Sequence, residues 1–210
     1  MSEPIVIDAE AVMWSAPVRE RAARPLLVLL HGLGSHEGDL FGLSPQLPLE
    51  PVIASVRAPL REPPGFAWFP RSSAAGQPIA ENVDAAARAV LDWLDTLEYS
   101  RVSLLGFSQG GAMALQLLRH APDRFACAVA LSGFVAPGEH AGDAELSRIR
   151  PPVFAGRGTL DQVIPLEAVA RTDEWLPQHA TATMRIYEDL GHALSADELR
   201  DVNAFLREHA

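Results

Sequence analysis

The sequence predicts an α/β fold in which a mostly parallel central sheet has helices on both faces. Short apolar runs rich in β-branched residues alternate along the chain with longer segments of helical periodicity. A run that is apolar at every position is typical of a strand covered on both faces. Strands that alternate with helices are joined by crossovers, and crossovers build parallel sheets. The length of 210 residues favours a single domain over 1-210.

Eight segments are predicted as strands. Segments 5–7 and 12–14 are short, and they could pair with each other as a hairpin. Six further runs have the apolar character of buried strands and would form the parallel part of the sheet: 25–30, 52–56, 101–106, 126–131, 152–156 and 181–187.

Between these strands, apolar residues recur at helical spacing in four segments: 79–97, 108–120, 165–176 and 195–209. Pro122 ends the second helix, and Ser195 with Glu198 forms a capping-box pattern at the start of the fourth. Two connections, 57–78 and 134–151, are longer than a compact domain requires. Loops of that length are usually functional or mobile, and the aromatic residues of the first loop fit a pocket wall or core packing equally well.

All 17 basic residues are arginines, and the sequence contains no lysine. This absence excludes Schiff-base chemistry, a lysine-anchored pyridoxal phosphate, a Ser-Lys dyad and the lysine-dependent phosphate loop. The abundance of Ala, Gly, Arg and Pro indicates GC-rich codons as its origin. A net charge of −10 and a pI near 5.1 argue against a nucleic-acid groove or an anionic membrane surface, because both require clustered cations.

The same composition indicates the compartment and the partners. Cys127 is the only cysteine, so no intramolecular disulfide can form, and the chain opens with Met1-Ser2-Glu3-Pro4 rather than with a signal peptide. The longest apolar runs are far too short to cross a bilayer. We therefore expect a cytoplasmic protein with a small-molecule partner, no nucleic acid and no stable membrane insertion. The sequence leaves a homodimer open.

The segment Gly106-Phe107-Ser108-Gln109-Gly110-Gly111 is a GxSxG motif between a predicted strand and a predicted helix. In that context the serine occupies a sharp, strained turn, and small residues at 106 and 110 leave room for it. The start of the helix supplies free N–H groups and a partial positive charge for an oxyanion. Ser108 is therefore the candidate nucleophile.

A nucleophilic serine requires a histidine base and an acid that orients the histidine. His192 follows the last predicted strand, where a loop would reach back to the serine, and Asp161 lies in the turn after strand 152–156. Taken alone, Asp161 would equally well cap a turn, but the order Ser, Asp, His favours a catalytic role. Asp189 is the alternative acid, although it fits a surface turn better. The other downstream histidines are expected to be exposed: His120, His140, His179 and His209.

Two backbone amides are candidates for an oxyanion hole. One belongs to Gln109, the residue after the candidate nucleophile, and the other to Leu33, which lies between two glycines in the loop after strand 25–30. His31 and His36 lie in the same region, but no metal-binding spacing accompanies them. We expect neither a metal nor a cofactor.

Together these residues resemble the phospholipase/carboxylesterase family of α/β-hydrolases, which includes bacterial carboxylesterases and acyl-protein thioesterases. The matching stretches are 30–34, 106–114, 156–165 and 190–192. The resemblance implies an α/β-hydrolase fold without a separate lid domain. It also implies a catalytic triad of Ser108, Asp161 and His192, with the Leu33 and Gln109 amides as oxyanion donors.

The chain departs from the family pattern between residues 58 and 70. The path there is shorter than in the family, and Pro70 stands where the family commonly has Asp. In the relatives this loop borders the acyl pocket, so Phe66, Trp68 and Phe69 are candidate pocket residues. Phe134, at the start of the second long connection, is a further candidate.

The function expected from the motif and the resemblance is a serine hydrolase that cleaves carboxylic esters with small to medium acyl groups. An acyl thioesterase or lysophospholipase would use the same site. A non-catalytic binding protein on a hydrolase scaffold is the alternative from another class, but such proteins generally lose members of the triad, and here all three are present.

Overall fold

Nine strands and six α-helices lie within residues 5–21, 24–48, 50–71 and 77–210, which the computed structural model describes. The strands are β1 (Met13–Trp14), β2 (Leu26–Leu30), β3 (Val52–Val56), β4 (Leu60–Glu62), β5 (Gly65–Ala67), β6 (Val102–Phe107), β7 (Phe125–Leu131), β8 (Pro152–Gly158) and β9 (Thr181–Tyr187). The helices are α1 (Glu37–Phe41), α2 (Ala80–Asp95), α3 (Gln109–His120), α4 (Asp143–Ile149), α5 (Leu166–His179) and α6 (Ala196–His209).

Seven of these strands form one sheet in the order β1-β3-β2-β6-β7-β8-β9. β1 is antiparallel to β3, and the other neighbours in this sheet are parallel. β4 and β5 form a separate antiparallel hairpin. The six predicted apolar runs are the six parallel strands, so the prediction of a mostly parallel sheet is confirmed.

Both faces of the sheet are covered, which is why its central strands are apolar at every position. All five residues of β2 are buried. Leu26, Val28 and Leu30 belong to the core that also contains residues of α2, α3 and α5. Leu27 and Leu29 belong to the opposite core, which contains residues of α1 and α6. The side chains of a strand alternate between its faces, so each face of the sheet has its own apolar layer.

The prediction of a strand at 5–7 is wrong. These residues lie outside any strand: Val6 is 67% exposed, whereas Ile7 is buried in the core. Asp8 then begins a short 3-10 helix, and its side chain accepts a hydrogen bond from the Glu10 amide at 3.1 Å. A single buried side chain and a local turn therefore replace the expected hairpin, and segment 12–14 supplies β1, which pairs with β3 instead.

Both long connections contain elements that the sequence did not predict. The first contains the hairpin of β4 and β5, and its residues 72–76 lie outside the described chain. The second contains α4, whose first residue, Asp143, accepts two hydrogen bonds from Arg119 at 2.8 and 2.7 Å. Arg119 is 2% exposed and also donates to the carbonyl oxygens of Ala136 and Gly138. One buried guanidinium of α3 thus orders the start of α4.

The capping box predicted for the last helix is present, because the Ser195 hydroxyl oxygen accepts a hydrogen bond from the Glu198 amide at 3.1 Å. None of the helices in the described part of the chain has both the length and the hydrophobicity that crossing a membrane requires.

Glu198, in the first turn of α6, is a buried carboxyl group. It is 1% exposed, and no described residue forms a hydrogen bond with its Oε2. Burial raises the pKa of Glu198 from 4.5 to about 7, a hydrogen bond from the Ser195 backbone opposes this change, and the charge of Asp201 adds to it. Because folding raises this pKa, the contribution of Glu198 to stability is fully present below about pH 4.5 and is lost as the pH rises through about 7.

We expect Glu198→Gln to remove this pH dependence. The rise in pKa corresponds to about 3 kcal/mol of unfolding free energy at pH 8. In urea unfolding at pH 5 and pH 8, the free energy of unfolding of the variant should therefore increase relative to that of the wild type as the pH rises. Glu208→Gln, an exposed position on the same helix, is the matched control and should track the wild type. A difference between Glu198→Gln and wild type that is equal at both pH values would contradict the assignment.

Candidate active site

Ser108 occupies a sharp turn between β6 and α3, with φ 55° and ψ −117°. It is a non-glycine residue in the left-handed region, so its backbone is strained. The two glycines of the motif make this turn sterically possible. A Cβ atom on Gly106 would lie 2.0 Å from the Gly110 carbonyl oxygen, and a Cβ atom on Gly110 would lie 1.8 Å from the Leu30 carbonyl oxygen. The backbone segments are therefore packed too closely for any other residue at either position.

A chain of two hydrogen bonds joins Ser108, His192 and Asp161. The Ser108 Oγ lies 2.9 Å from His192 Nε2, and His192 Nδ1 lies 2.8 Å from Asp161 Oδ2. An ionised carboxylate only accepts hydrogen bonds, so the imidazole proton is on Nδ1 and Nε2 accepts from the serine hydroxyl. The structure thus brings together three residues that are far apart in sequence, each just beyond the carboxyl end of a parallel strand.

The Asp161 carboxylate is held by more than the histidine. Its Oδ1 accepts hydrogen bonds from the amides of Val163 and Ile164 at 2.9 and 3.2 Å. Burial raises the pKa of Asp161, but this is outweighed by hydrogen bonds from His192, the Ile164 amide, the Ser132 hydroxyl and the Val163 amide, and the pKa lies below its ordinary value. Asp161 is therefore an ionised and firmly oriented partner for the imidazole.

Asp189, the alternative acid, lies in an exposed turn with φ 58°. Its amide donates to the Thr159 hydroxyl at 3.0 Å, whereas the hydrogen-bond partner of His192 Nδ1 is Asp161. The four other downstream histidines are half-buried rather than exposed as expected: His120, His140, His179 and His209.

The loop after β2 passes directly beside Ser108. A Cβ atom on Gly32 would lie 3.5 Å from the Ser108 Cβ, and Gly34 has φ 74°. The loop is fixed to the β4–β5 hairpin, because the Gly34 amide donates to the Phe66 carbonyl and the Phe66 amide donates to the Ser35 carbonyl, both at 2.8 Å. Within the described chain, no protein group accepts a hydrogen bond from the amides of Leu33 or Gln109. Both amides therefore remain available for an oxyanion.

His31 supports this loop through both of its ring nitrogens. The Ala58 amide donates to Nε2 at 3.1 Å, so Nδ1 carries the proton and donates to the Gly32 carbonyl at 2.8 Å. Burial lowers the pKa of His31 and keeps the ring neutral. His36 begins α1, where its Nδ1 accepts from the Gly38 amide. Both histidines next to the loop thus have structural partners.

The candidate pocket residues fall into two groups. Trp68 and Phe69 are 0% and 4% exposed and belong to the core, and the Trp68 indole donates to the His31 carbonyl at 2.8 Å. Phe134 is also buried, at 6%. Phe66 is half-buried, and the guanidinium groups of two arginines lie 4.8 and 5.2 Å from its ring centre. Of the four, Phe66 has the greatest exposed fraction. Trp68 supports the loop after β2 through its hydrogen bond to the His31 carbonyl.

Sequence reasoning missed the second role of Gln109. Besides its free amide, its buried side chain accepts from the Trp68 amide at 2.8 Å and donates to the Phe69 carbonyl at 2.7 Å. These bonds connect the start of α3 to the segment beneath the loop. The only available signal was the presence of a bifunctional amide in the motif.

A second cluster unites Asp84, His120 and His140, whose potential ligand atoms lie within 4.8 Å of one another. The Nε2 atoms of His120 and His140 lie 2.8 and 3.8 Å from Asp84 Oδ1. The Gly142 amide donates to His140 Nδ1 at 3.1 Å, so a neutral His140 carries its proton on Nε2. A protonated Nε2 has no free lone pair, and a metal ligand needs one. Within the cluster, the hydrogen bond between His120 and Asp84 joins α3 to α2. The His140 ring, in the loop before α4, packs against the His120 ring with 4.5 Å between the ring centres.

Comparisons with known proteins identify the family to which this chain belongs. A model of the phospholipase/carboxylesterase family matches residues 16–210. Acyl-protein thioesterase 1 of Eremothecium gossypii is 28% identical over 223 aligned residues, which cover 92% of this chain and 93% of that protein. The Escherichia coli esterase YpfH is 28% identical over 192 residues, which cover 83% of this chain and 78% of that protein.

Among solved structures, esterase PE8 superposes with a TM-score of 0.79 at 26% identity, covering 98% of this chain and 100% of that chain. The carboxylesterase of Bacillus cereus superposes with a TM-score of 0.78 at 22% identity over 94% of this chain and 93% of that chain, and this likeness shows the fold. The family match spans almost the whole chain and includes every element of the site described above. The chain therefore belongs to the phospholipase/carboxylesterase family of α/β-hydrolases, a family of ester hydrolases.

Proposed function

We propose that this chain hydrolyses carboxylic esters by covalent catalysis, with Ser108 as nucleophile, His192 as general base and Asp161 as the orienting acid. The observation that carries the proposal is the continuous hydrogen-bonded chain from the Ser108 hydroxyl through the imidazole to the Asp161 carboxylate, at 2.9 and 2.8 Å. Nucleophile, base and orienting group within hydrogen-bond distance are the arrangement that activates a serine.

In the acylation step, the Ser108 oxygen forms a bond to the ester carbonyl carbon while its proton passes to His192 Nε2. The carbonyl oxygen becomes an oxyanion and accepts hydrogen bonds from the Leu33 and Gln109 amides. When the tetrahedral intermediate collapses, the bond to the alcohol oxygen breaks, and the alcohol takes the proton from His192. Asp161 stabilises the protonated imidazole while it exists.

In the deacylation step, His192 takes a proton from water as the water oxygen attacks the acyl carbon. A second oxyanion forms in the same hole, the bond to the Ser108 oxygen breaks, and the proton returns to that oxygen. The products are a carboxylic acid and free enzyme. Because His192 must be neutral to accept each proton, turnover falls at acidic pH.

The proposed substrates are esters with small to medium acyl groups. The β4–β5 hairpin beside the loop is short, with three residues in each strand, and Trp68 and Phe69, which follow it, are packed in the core. Three exposed apolar side chains lie close to Asp161 in sequence: Leu160, Val163 and Leu166. These side chains are 55%, 55% and 83% exposed. They offer apolar contact to a substrate at the mouth of the site.

Thioesters are a second candidate substrate class. The Eremothecium gossypii relative is named acyl-protein thioesterase 1, and it aligns over nearly the full length of this chain. A thiolate leaves more readily than an alkoxide, and the site would use the same nucleophile, base and amides.

A fluorophosphonate probe tests the proposal directly. We expect folded protein to be labelled, with the adduct on the peptide that contains Ser108, and heat-denatured protein to remain unlabelled. In parallel, nitrophenyl acetate, butyrate, octanoate and palmitate, and thioesters of the same acids, give the acyl range and the leaving-group preference. An adduct on a different serine, or turnover without labelling, would overturn the proposal.

A further inference from the structure

Ser132 is a buried residue with an unusual backbone conformation. It follows β7 with φ 44°, a left-handed conformation in which side chains other than glycine are strained, and it is 4% exposed. Its amide donates to the Gly156 carbonyl at 2.7 Å. The carbonyl oxygen of the preceding residue, Leu131, accepts a hydrogen bond from the Ser108 amide at 2.8 Å. These two residues thus connect the strand that leads to Asp161 with the turn that carries the candidate nucleophile.

The Ser132 side chain lies against the acid of the site. Ser132 and Asp161 line the same cavity of about 50 Å³, and the Ser132 hydroxyl lies close enough to the Asp161 carboxylate to help lower its pKa. A carboxylate has about four positions that accept hydrogen bonds. Val163, Ile164 and His192 occupy three of them, which leaves one for the neighbouring Ser132 hydroxyl.

We propose that Ser132 is a positioning residue that holds the Asp161 carboxylate in the orientation His192 requires. A glycine would adopt this backbone without strain, so the serine is explained by what its hydroxyl does. The neighbouring Gly133 is required for packing, because a Cβ atom on it would lie 2.9 Å from the Gly111 carbonyl carbon. No such contact requires a side chain at 132. The inference rests on the proposed function of Asp161 and His192.

Two substitutions separate the hydroxyl from the strained backbone. Ser132→Ala removes the hydroxyl and keeps the strain, whereas Ser132→Gly removes both. With a nitrophenyl ester, we expect kcat to fall about tenfold in both variants, the effect of one hydrogen bond to a charged group, while KM stays within about twofold. Ser132→Gly should melt about 2–4 °C above Ser132→Ala, because it relieves the left-handed strain.

The pH profile distinguishes positioning from general stabilisation. Without the Ser132 donor, negative charge on Asp161 is less dispersed and holds the proton on His192 more strongly. The acid limb of kcat/KM should therefore move to higher pH in both variants. Ser132→Cys, a weaker donor of similar size, should restore part of kcat and part of the shift. Ser103→Ala removes a buried hydroxyl from β6 and is the matched control, with kcat and the acid limb unchanged.

The proposal is overturned if the variants keep the wild-type kcat, or if kcat falls while the acid limb stays in place. Failure of the proposed function is recognised separately, because Ser108→Ala would then retain turnover whatever the Ser132 variants do. Ser132→Gly also covers the case in which Ser132→Ala folds poorly.

Discussion

Replacing Ser108 with alanine is expected to lower kcat for a nitrophenyl ester by about 10⁴-fold or more, and replacing His192 in the same protein should cost almost nothing further. In serine hydrolases the nucleophile and its base act as a unit, so losing either removes nearly the whole contribution. The 2.9 Å contact between the Ser108 hydroxyl and His192 Nε2 predicts this non-additivity here. The residual rate would come from the oxyanion donors and substrate binding.

The measurement is a double-mutant comparison of Ser108→Ala, His192→Ala and the combined variant, with thermal melts to show that each is folded. Ser147→Ala, which removes an exposed hydroxyl from α4, is the control and should keep the wild-type kcat. If the fold-decrease in kcat of the combined variant equals the product of the two single decreases, the two residues act independently. Full turnover by Ser108→Ala would remove the serine from the mechanism altogether.

The sheet could be predicted because each strand is determined by the hydrophobic pattern of its own short segment. Residues 26–30 are apolar at every position, and two-sided burial requires that pattern. The same holds for the other parallel strands, whose crossovers then follow from the helical segments between them. The sites of Ser108, Asp161 and His192 could also be predicted, because each residue follows an apolar run that forms a parallel strand.

The missed elements depend on distant partners. α4 has seven residues, and its start is ordered by Arg119, which lies 24 positions earlier. No local pattern in 143–149 contains that information. At 5–7 the sequence suggested a strand, but Ile7 is the only one of these three residues that is fully buried, and the sheet edge is occupied by β1 instead.

Within the site, the unforeseen features are contacts between segments. Trp68 could have been a pocket wall or a core residue, and its bond to the His31 carbonyl decides for the core. The roles of the Gln109 side chain and of Ser132 depend on which strands become neighbours at their carboxyl ends. Composition and spacing do not encode that proximity. In the structure it is seen in the hydrogen bond from the Ser132 amide, after β7, to the Gly156 carbonyl of β8.

Gly110→Ala is expected to have the largest effect on stability. The added Cβ would lie 1.8 Å from the Leu30 carbonyl oxygen and 2.7 Å from that of His31. Both neighbours are backbone atoms, at the end of a fully buried central strand and the start of the oxyanion loop, so no side-chain rotation relieves the clash. Overpacking in a core usually costs about 1–3 kcal/mol, and because the backbone itself must shift here, we expect at least about 4 kcal/mol.

A loss of that size lowers the melting temperature of a chain of this length by about 8 °C or more, and protein that remains folded should have a displaced Leu30–Gly32 segment and a reduced kcat. Gly191→Ala is the matched control, because a Cβ atom there would lie 4.0 Å from the Leu160 carbonyl oxygen, its nearest neighbour outside the adjoining residues. Its melting temperature should stay within about 2 °C of the wild type. If the melting temperature of Gly110→Ala equalled that of the control, β2 and α3 could move apart without loss of the fold. The close approach that presents Ser108 beside the Leu33 amide would then not be what fixes the site.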